Sequence, residues 1–297
     1  MPELFFIHHK IISNIHFSCK RVLHLANLPA VSIILPFFNE YFSVLIRSLY
    51  SIVNRTPKKL LHEIIIVDDG SDRSYLKQHL ENYVEKNFGS LVRIVRLSQR
   101  SGLIAARLAG AKVASGEVLI FFDSHIECTH NWLPPLLQPI VINPNISTCP
   151  MIDVIGHKDF AYSLHVPKGF RGGFDWHLKF DYMPLRKGED IYPLKPHANP
   201  VMIGGLFAIG RKFFWMLGGY DDGLEIWGAE QYELSFKIWM CGGVLLNVPC
   251  SRVGHIFRGP RHDMPNPKNY SYLERVSSEN YAKRGQIYKP KFYKPES

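Results

Sequence analysis

Four apolar runs of strand length in the first half of the chain, residues 31–35, 63–67, 91–97 and 118–122, are separated by stretches of helical length at 41–53, 74–86 and 103–114. Strand and helix in alternation admit few folds, and the pattern predicts an α/β doubly wound sheet, mostly parallel, with helices on both faces. Three of the runs are continuously apolar rather than alternating, as strands covered on both faces are. The third helical stretch is Ala-rich, and its reading puts Arg107 and Lys112 on the polar side. Open α/β sheets bind ligands outside the carboxyl ends of their strands. Polar residues gather there: Asp68-Asp69-Gly70-Ser71 follows the second run and Asp123-Ser124-His125 follows the fourth.

From Cys149 onward the pattern turns irregular and rich in Gly, Pro and aromatics, with a helix expected over about 231–240, stopped by Cys241-Gly242-Gly243. No internal repeat and no long linker divides the chain, so one domain with an elaborated second half is expected. No apolar run approaches the roughly 20 residues a membrane-spanning helix needs. The run Leu4-Phe5-Phe6-Ile7 breaks at His8-His9-Lys10, which makes a poor signal peptide. The net charge of +9 invites a polyanionic partner, yet the basic residues are scattered in pairs and only the tail is persistently basic, as on an ordinary solvated surface. No nucleic-acid partner is expected. Cys19, Cys128, Cys149, Cys241 and Cys250 fit no CxxC metal spacing, and their odd number leaves at least one unpaired or paired outside the chain.

The two polar strand ends carry the chemistry. If the backbone stays extended, Asp123 and His125 point to one side, offering a carboxylate oxygen and an imidazole nitrogen to a cation such as Mn²⁺ that accepts mixed donors. The competing reading is an Asp-Ser turn with an incidental histidine. Asp69 can accept hydrogen bonds from a base or ribose, or the acidic pair can form an Asx turn. Arg100-Ser101-Gly102-Leu103 opens a helix whose free N–H groups could face a diphosphate, or Arg100 is a surface residue beside a helix start.

Phe38-Asn39-Glu40, Ile66-Val67-Asp68-Asp69-Gly70-Ser71, Gln99-Arg100-Ser101-Gly102-Leu103-Ile104, Phe122-Asp123-Ser124-His125, Gly204-Gly205-Leu206-Phe207, Trp227-Gly228-Ala229-Glu230 and Val253-Gly254-His255-Ile256-Phe257-Arg258 stand in the order and approximate spacing of one family. In these motifs the chain resembles the polypeptide N-acetylgalactosaminyltransferases over roughly residues 19–260. The resemblance implies a GT-A fold and Mn²⁺-dependent transfer of N-acetylgalactosamine from UDP-GalNAc to Ser or Thr hydroxyls of polypeptides. It also implies retention at the anomeric carbon, with the leaving phosphate taking the hydroxyl proton.

Position by position, the resemblance implies that Asp123, His125 and His255 are the metal ligands. Asp69, Arg100, Ser124, Gly205, Trp227 and Arg258 match donor-binding positions, with Arg258, Glu230 and Trp227 at the transferred sugar and its diphosphate. Phe174, Trp176 and Phe257 are candidates for receiving the acceptor peptide. A Cys19–Cys250 disulfide and a Golgi or secretory-lumen address are implied as well, and Asn54, Asn145 and Asn269 head N-x-[ST] sequons compatible with that lumen.

The expected organisation is an N-terminal lead over 1–27, a catalytic domain over 28–262 and a divergent basic tail over 263–297, without the lectin domain or membrane anchor of the family. The chain departs from the family pattern at Pro36, Phe38, Ala105 and Ala229 and in the loop after Arg258. The alternative to an active transferase is therefore a catalytically impaired member of the same family that binds or regulates.

Overall fold

The computed structural model describes residues 19, 22–165, 169–177, 179–189 and 194–257. Arg258, the loop after it, the tail over 263–297 and most of the N-terminal lead lie outside these residues.

The expected alternation is present. Strand β1 (Val31–Phe37) leads to helix α1 (Phe42–Arg55), followed by β2 (Leu61–Asp68), α2 (Gln78–Phe88), β3 (Val92–Arg96), α3 (Leu103–Val113) and β4 (Val118–Phe121). β1 pairs in parallel with both β2 and β4, and β2 with β3. Successive side chains of a strand face opposite sides of the sheet, and here both sides are covered. Ile33, Leu35, Ile64, Ile66 and Ile120 pack with Leu45 and Leu49 of α1 and Leu80 of α2. The intervening Ile34, Ile65, Val67, Leu119 and Phe121 pack on the other side with Ile104 and Ala111 of α3. That two-sided burial is why the runs read as continuously apolar.

The second half is more regular than its sequence suggests. After β5 (Ile126–Cys128) come α4 (Leu133–Ile142), the long strand β6 (Ile146–Ile155), β7 (Tyr162–Ser163), a separate hairpin of β8 (Arg171–Phe174) and β9 (Phe180–Met183), then β10 (His197–Ala198) and β11 (Phe207–Gly210). Helices α5 (Arg211–Met216) and α6 (Glu230–Met240) precede the longest strand, β12 (Val244–Ile256). Three prolines hide α4: Pro134 and Pro135 sit in its first turn, where no N–H is needed, and Pro139 lies inside it. Polar residues hide β6 and β12, because Ser147, Thr148, Asp153, Ser251 and Arg252 are buried yet break the apolar runs.

β11 enters the sheet antiparallel to both β4 and β6, and β12 runs parallel to β6. The sheet is thus mixed, with order β10-β12-β6-β11-β4-β1-β2-β3. The β12–β6 register breaks between Val248 and Arg252, leaving Pro249-Cys250-Ser251 out of the ladder. Cys250 uses that excursion to bond Cys19, with a Cα–Cα separation of 5.4 Å. Among the described residues no helix is long and apolar enough to cross a membrane.

Cys128, Cys149 and Cys241 carry free thiols. Thiol titration in denaturant should therefore find three groups before reduction and five after it. Because the bridge closes a loop of 231 residues, Cys250→Ser should lower unfolding free energy by about 2–4 kcal/mol in a denaturant titration.

Candidate functional site

The carboxyl ends of β1, β2 and β4 open on one edge of the sheet, and the polar motifs converge there. β4 ends at Phe121, and the chain then bends at Ser124-His125 instead of continuing extended. The convergence of Asp123 and His125 comes from this bend and from β5, which pairs antiparallel with β12 so that Ile126 faces His255. The His125 carbonyl accepts the Ile256 N–H at 3.0 Å, and the two imidazole rings stand 4.7 Å apart, edge to face. One ligand atom each from Asp123, His125 and His255 falls within a 4.8 Å group.

This donor set fits a divalent cation. It offers one oxygen and two nitrogens, and His255 Nδ1 is buried without a hydrogen-bond partner among the described residues. His255 Nε2 lies 3.2 Å from Asp123 Oδ2. Burial alone would raise the Asp123 pKa, but the His255 hydrogen bond and the Arg107 charge reverse the sign and hold it well below the usual carboxylate range. The carboxylate is therefore ionised and ready to ligate.

Two further residues at this edge, Glu40 and Arg107, meet partners that their place in the sequence does not suggest. Glu40 lies just after β1, where its Oε2 is 2.8 Å from His125 Nδ1 and accepts the Ser124 hydroxyl at 3.3 Å. A carboxylate on one ring nitrogen fixes the tautomer and orientation of a ligating histidine. Ser124, matched by resemblance to a donor contact, thus turns its hydroxyl toward Glu40.

Arg107 corrects the reading that put it on the polar side of α3, for its side chain is 1 % exposed. It lies 3.3 Å from Asp123 and 3.3 Å from Glu230. The signal was available, since Arg107 stands three and four residues before the buried Gly110 and Ala111, on one helical face. Lys112 is exposed, as expected.

Asp69 is also more engaged than a free nucleotide acceptor. Its carboxylate accepts the backbone N–H groups of Ser101 (2.7 Å) and Gly102 (2.9 Å) at the start of α3, and burial pushes its pKa up against those bonds. Its neighbour Asp68 forms the Asx-type contact, accepting the Ser71 N–H at 2.8 Å, and pairs with Arg96 and Lys77. Arg100 is not a plain surface residue, because its guanidinium lies 4.2 Å over the Phe38 ring.

Gly102 joins this side of the site to the Trp227 loop. With φ of +98° it lies against Ile226, and an added Cβ would overlap Ile226 Cα and stand 2.6 Å from its carbonyl oxygen. Leu103 donates its N–H to that oxygen at 2.7 Å. Trp227, next in sequence, is partly exposed. Glu230 opens α6 and accepts the Gly228 N–H at 3.0 Å, so it caps its own loop while facing Arg107.

Of the candidate acceptor residues, Phe257 stacks at a tilt 4.4 Å from His255. Phe174 meets Tyr232 of α6 edge to face at 5.4 Å. Trp176 stands fully exposed in the turn between β8 and β9. Arg258, the other cationic donor contact expected beside Arg100, lies outside the described residues.

The comparisons agree with this geometry. Residues 32–218 match the model of glycosyl transferase family 2, and residues 194–262 match the N-terminal domain of galactosyltransferase. N-acetylgalactosaminyltransferase 4 of Drosophila melanogaster is 57 % identical over 86 % of this chain and 40 % of its own length. Human polypeptide N-acetylgalactosaminyltransferase 10 is 52 % identical over 82 % of this chain and 40 % of its own. The chain thus spans about 40 % of the length of these relatives. The crystal structure of GalNAc-T7 with UDP, GalNAc and Mn²⁺ superposes with a TM-score of 0.80 at 40 % identity, covering 90 % of this chain and 52 % of that one. The GT-A fold implied by the motifs is the fold observed. With its sheet, its polar strand ends and its family match in agreement, the chain belongs to glycosyl transferase family 2, and the relatives it resembles there are polypeptide N-acetylgalactosaminyltransferases.

Proposed function

We propose that this chain binds UDP-GalNAc with Mn²⁺ and transfers N-acetylgalactosamine, with retention, to Ser or Thr hydroxyls of polypeptides. The observation that carries the reading is the Asp123–His125–His255 group at the strand ends, beside the Glu230 carboxylate that Arg107 ties to Asp123. The relatives' names point to the same sugar and acceptor class, and GalNAc-T7 was crystallised with UDP, GalNAc and Mn²⁺.

In this reading Asp123, His125 and His255 hold the cation, and Glu40 orients His125. When bound, Mn²⁺ supplies Lewis-acid neutralisation of the charge that develops on the departing diphosphate. Arg258 adds a charge-assisted hydrogen bond to the same group. Asp69 and Arg100 line the nucleotide side, with Ser124 near them through its backbone because its hydroxyl faces Glu40, while Trp227 and Glu230 line the sugar side, where Gly205 leaves room. Phe174, Trp176 and Phe257 offer aromatic surface to an acceptor peptide whose hydroxyl attacks from the face the phosphate leaves. No side-chain nucleophile is called for, because the leaving phosphate accepts the hydroxyl proton. The Cys19–Cys250 bond supports an oxidising compartment, in keeping with a Golgi or secretory-pathway lumen. Nothing in the comparisons favours a catalytically silent member.

Incubated with UDP-GalNAc, MnCl₂ and a Ser/Thr-rich peptide, the protein should yield glycopeptide detectable by mass spectrometry. Chelation should stop the reaction, and Asp123→Asn should slow it about a hundredfold or more. Absence of product together with no UDP–Mn²⁺ shift in melting temperature would remove the proposal. Separately, Glu40→Ala should weaken Mn²⁺ binding about tenfold in equilibrium dialysis; unchanged affinity would mean that the Glu40–His125 contact does not orient the ligand.

A further inference from the structure

We propose that Arg107 is a positioning residue that confines Asp123 to a single cation-facing oxygen and holds Glu230 at a set distance from it, coupling the metal side of the site to the sugar side. The inference deepens the Mn²⁺ and UDP-GalNAc reading above and rests on it.

The guanidinium is a planar fork, able to meet two carboxylates with two different nitrogens. Nη2 faces Asp123 Oδ1 and Nη1 faces Glu230 Oε1, each at 3.3 Å. The other oxygen of each carboxylate is directed elsewhere: Asp123 Oδ2 lies 3.2 Å from His255 Nε2, and Glu230 Oε2 accepts the Gly228 N–H. Arg107 therefore occupies Oδ1 and leaves Oδ2 as the oxygen on the histidine side. Two carboxylates share one guanidinium, so the trio keeps one excess negative charge next to the cation group. Burial works against the charge on Arg107, yet Tyr220, Asp123 and Glu230 together raise its pKa.

Gly205 is the second, independent observation. β11 pairs antiparallel with β4, Phe207 opposite Phe121, and the same register carried two residues on puts Gly205 opposite Asp123. A Cβ built on Gly205 would overlap Arg107 Nη2 and sit 2.7 Å from Asp123 Oδ1. Only glycine at this position leaves the Arg107–Asp123 contact room to form. Its importance, on this account, lies in the space it leaves rather than in any contact of its own with the donor.

Arg107→Lys and Gly205→Ala test the idea from opposite sides of one contact. Lysine keeps the charge but cannot bridge two carboxylates as a fork, and alanine wedges the contact apart while leaving Arg107 in place. Free Mn²⁺ is followed by its electron paramagnetic resonance signal in the presence of UDP, alongside kcat and KM for UDP-GalNAc and the melting temperature. Both variants should bind Mn²⁺ about tenfold more weakly, and added Mn²⁺ should restore more of kcat in Arg107→Lys than in the neutral Arg107→Met. A purely structural role would lower melting temperature and leave the affinity of the folded protein untouched. If the unsubstituted protein binds Mn²⁺–UDP and Gly205→Ala binds it equally well, the inference is overturned while the proposed function stands; should Arg107→Lys fail to fold, Gly205→Ala decides alone. If the unsubstituted protein binds no Mn²⁺–UDP, the proposed function itself falls.

Discussion

Charge brought under cover at the carboxyl edge of the sheet is the constraint on which the rest of the structure turns. β1, β2 and β4 are buried on both faces, so the carboxylates that follow β2 and β4 leave water as the chain folds. An unpaired buried charge costs several kcal/mol, and each of these has a partner. Asp68 meets Arg96 and Lys77. Asp69 meets two backbone N–H groups at the positive end of α3. Asp123 and Glu230 share Arg107. Helix α3 thus supplies a neutralising group at its start and another one turn further on, and its placement on the sheet sets the geometry of the whole edge.

The second half of the chain completes the cation group by a different device. β11 reverses direction between β4 and β6 and delivers Gly205 to a place beside Arg107 and Asp123 where a Cβ would not fit. β12 returns in parallel along β6 and pairs with β5, which brings His255 beside His125. The disulfide anchors β12 at the excursion five residues before His255, tying the strand that carries one candidate ligand to the lead that precedes β1. Two candidate ligands from one short motif and a third some 130 residues further on therefore meet through strand register rather than through local sequence alone.

Two departures from the family pattern have a physical account. Phe38 supplies a ring for the Arg100 guanidinium at 4.2 Å, so that cation is held by a cation–π contact, worth roughly 0.5–2 kcal/mol. Ala229 holds φ of +71° in a loop that also contains Ile226 at +54°. Left-handed backbone costs a non-glycine residue about 1–2 kcal/mol, and the loop is retained because it is pinned to Gly102 and to the Gly228–Glu230 hydrogen bond. The site edge bearing Trp227 is accordingly built on backbone under strain.

The sequence by itself determined the alternation of strands and helices, the edge at which polar residues collect, and the family, because two-faced burial writes continuous apolar runs and the motifs follow them directly. It did not reveal α4, β6 or β12, where prolines and buried polar residues mask periodicity. The contacts of Glu40 with His125 and of Arg107 with Asp123 and Glu230 were not legible, since those partners lie 85, 16 and 123 residues away. Only the tertiary structure decided those pairings. Which carboxylate meets which cation depends on strand order and register, and those are fixed by packing across the whole sheet rather than by neighbours in the chain.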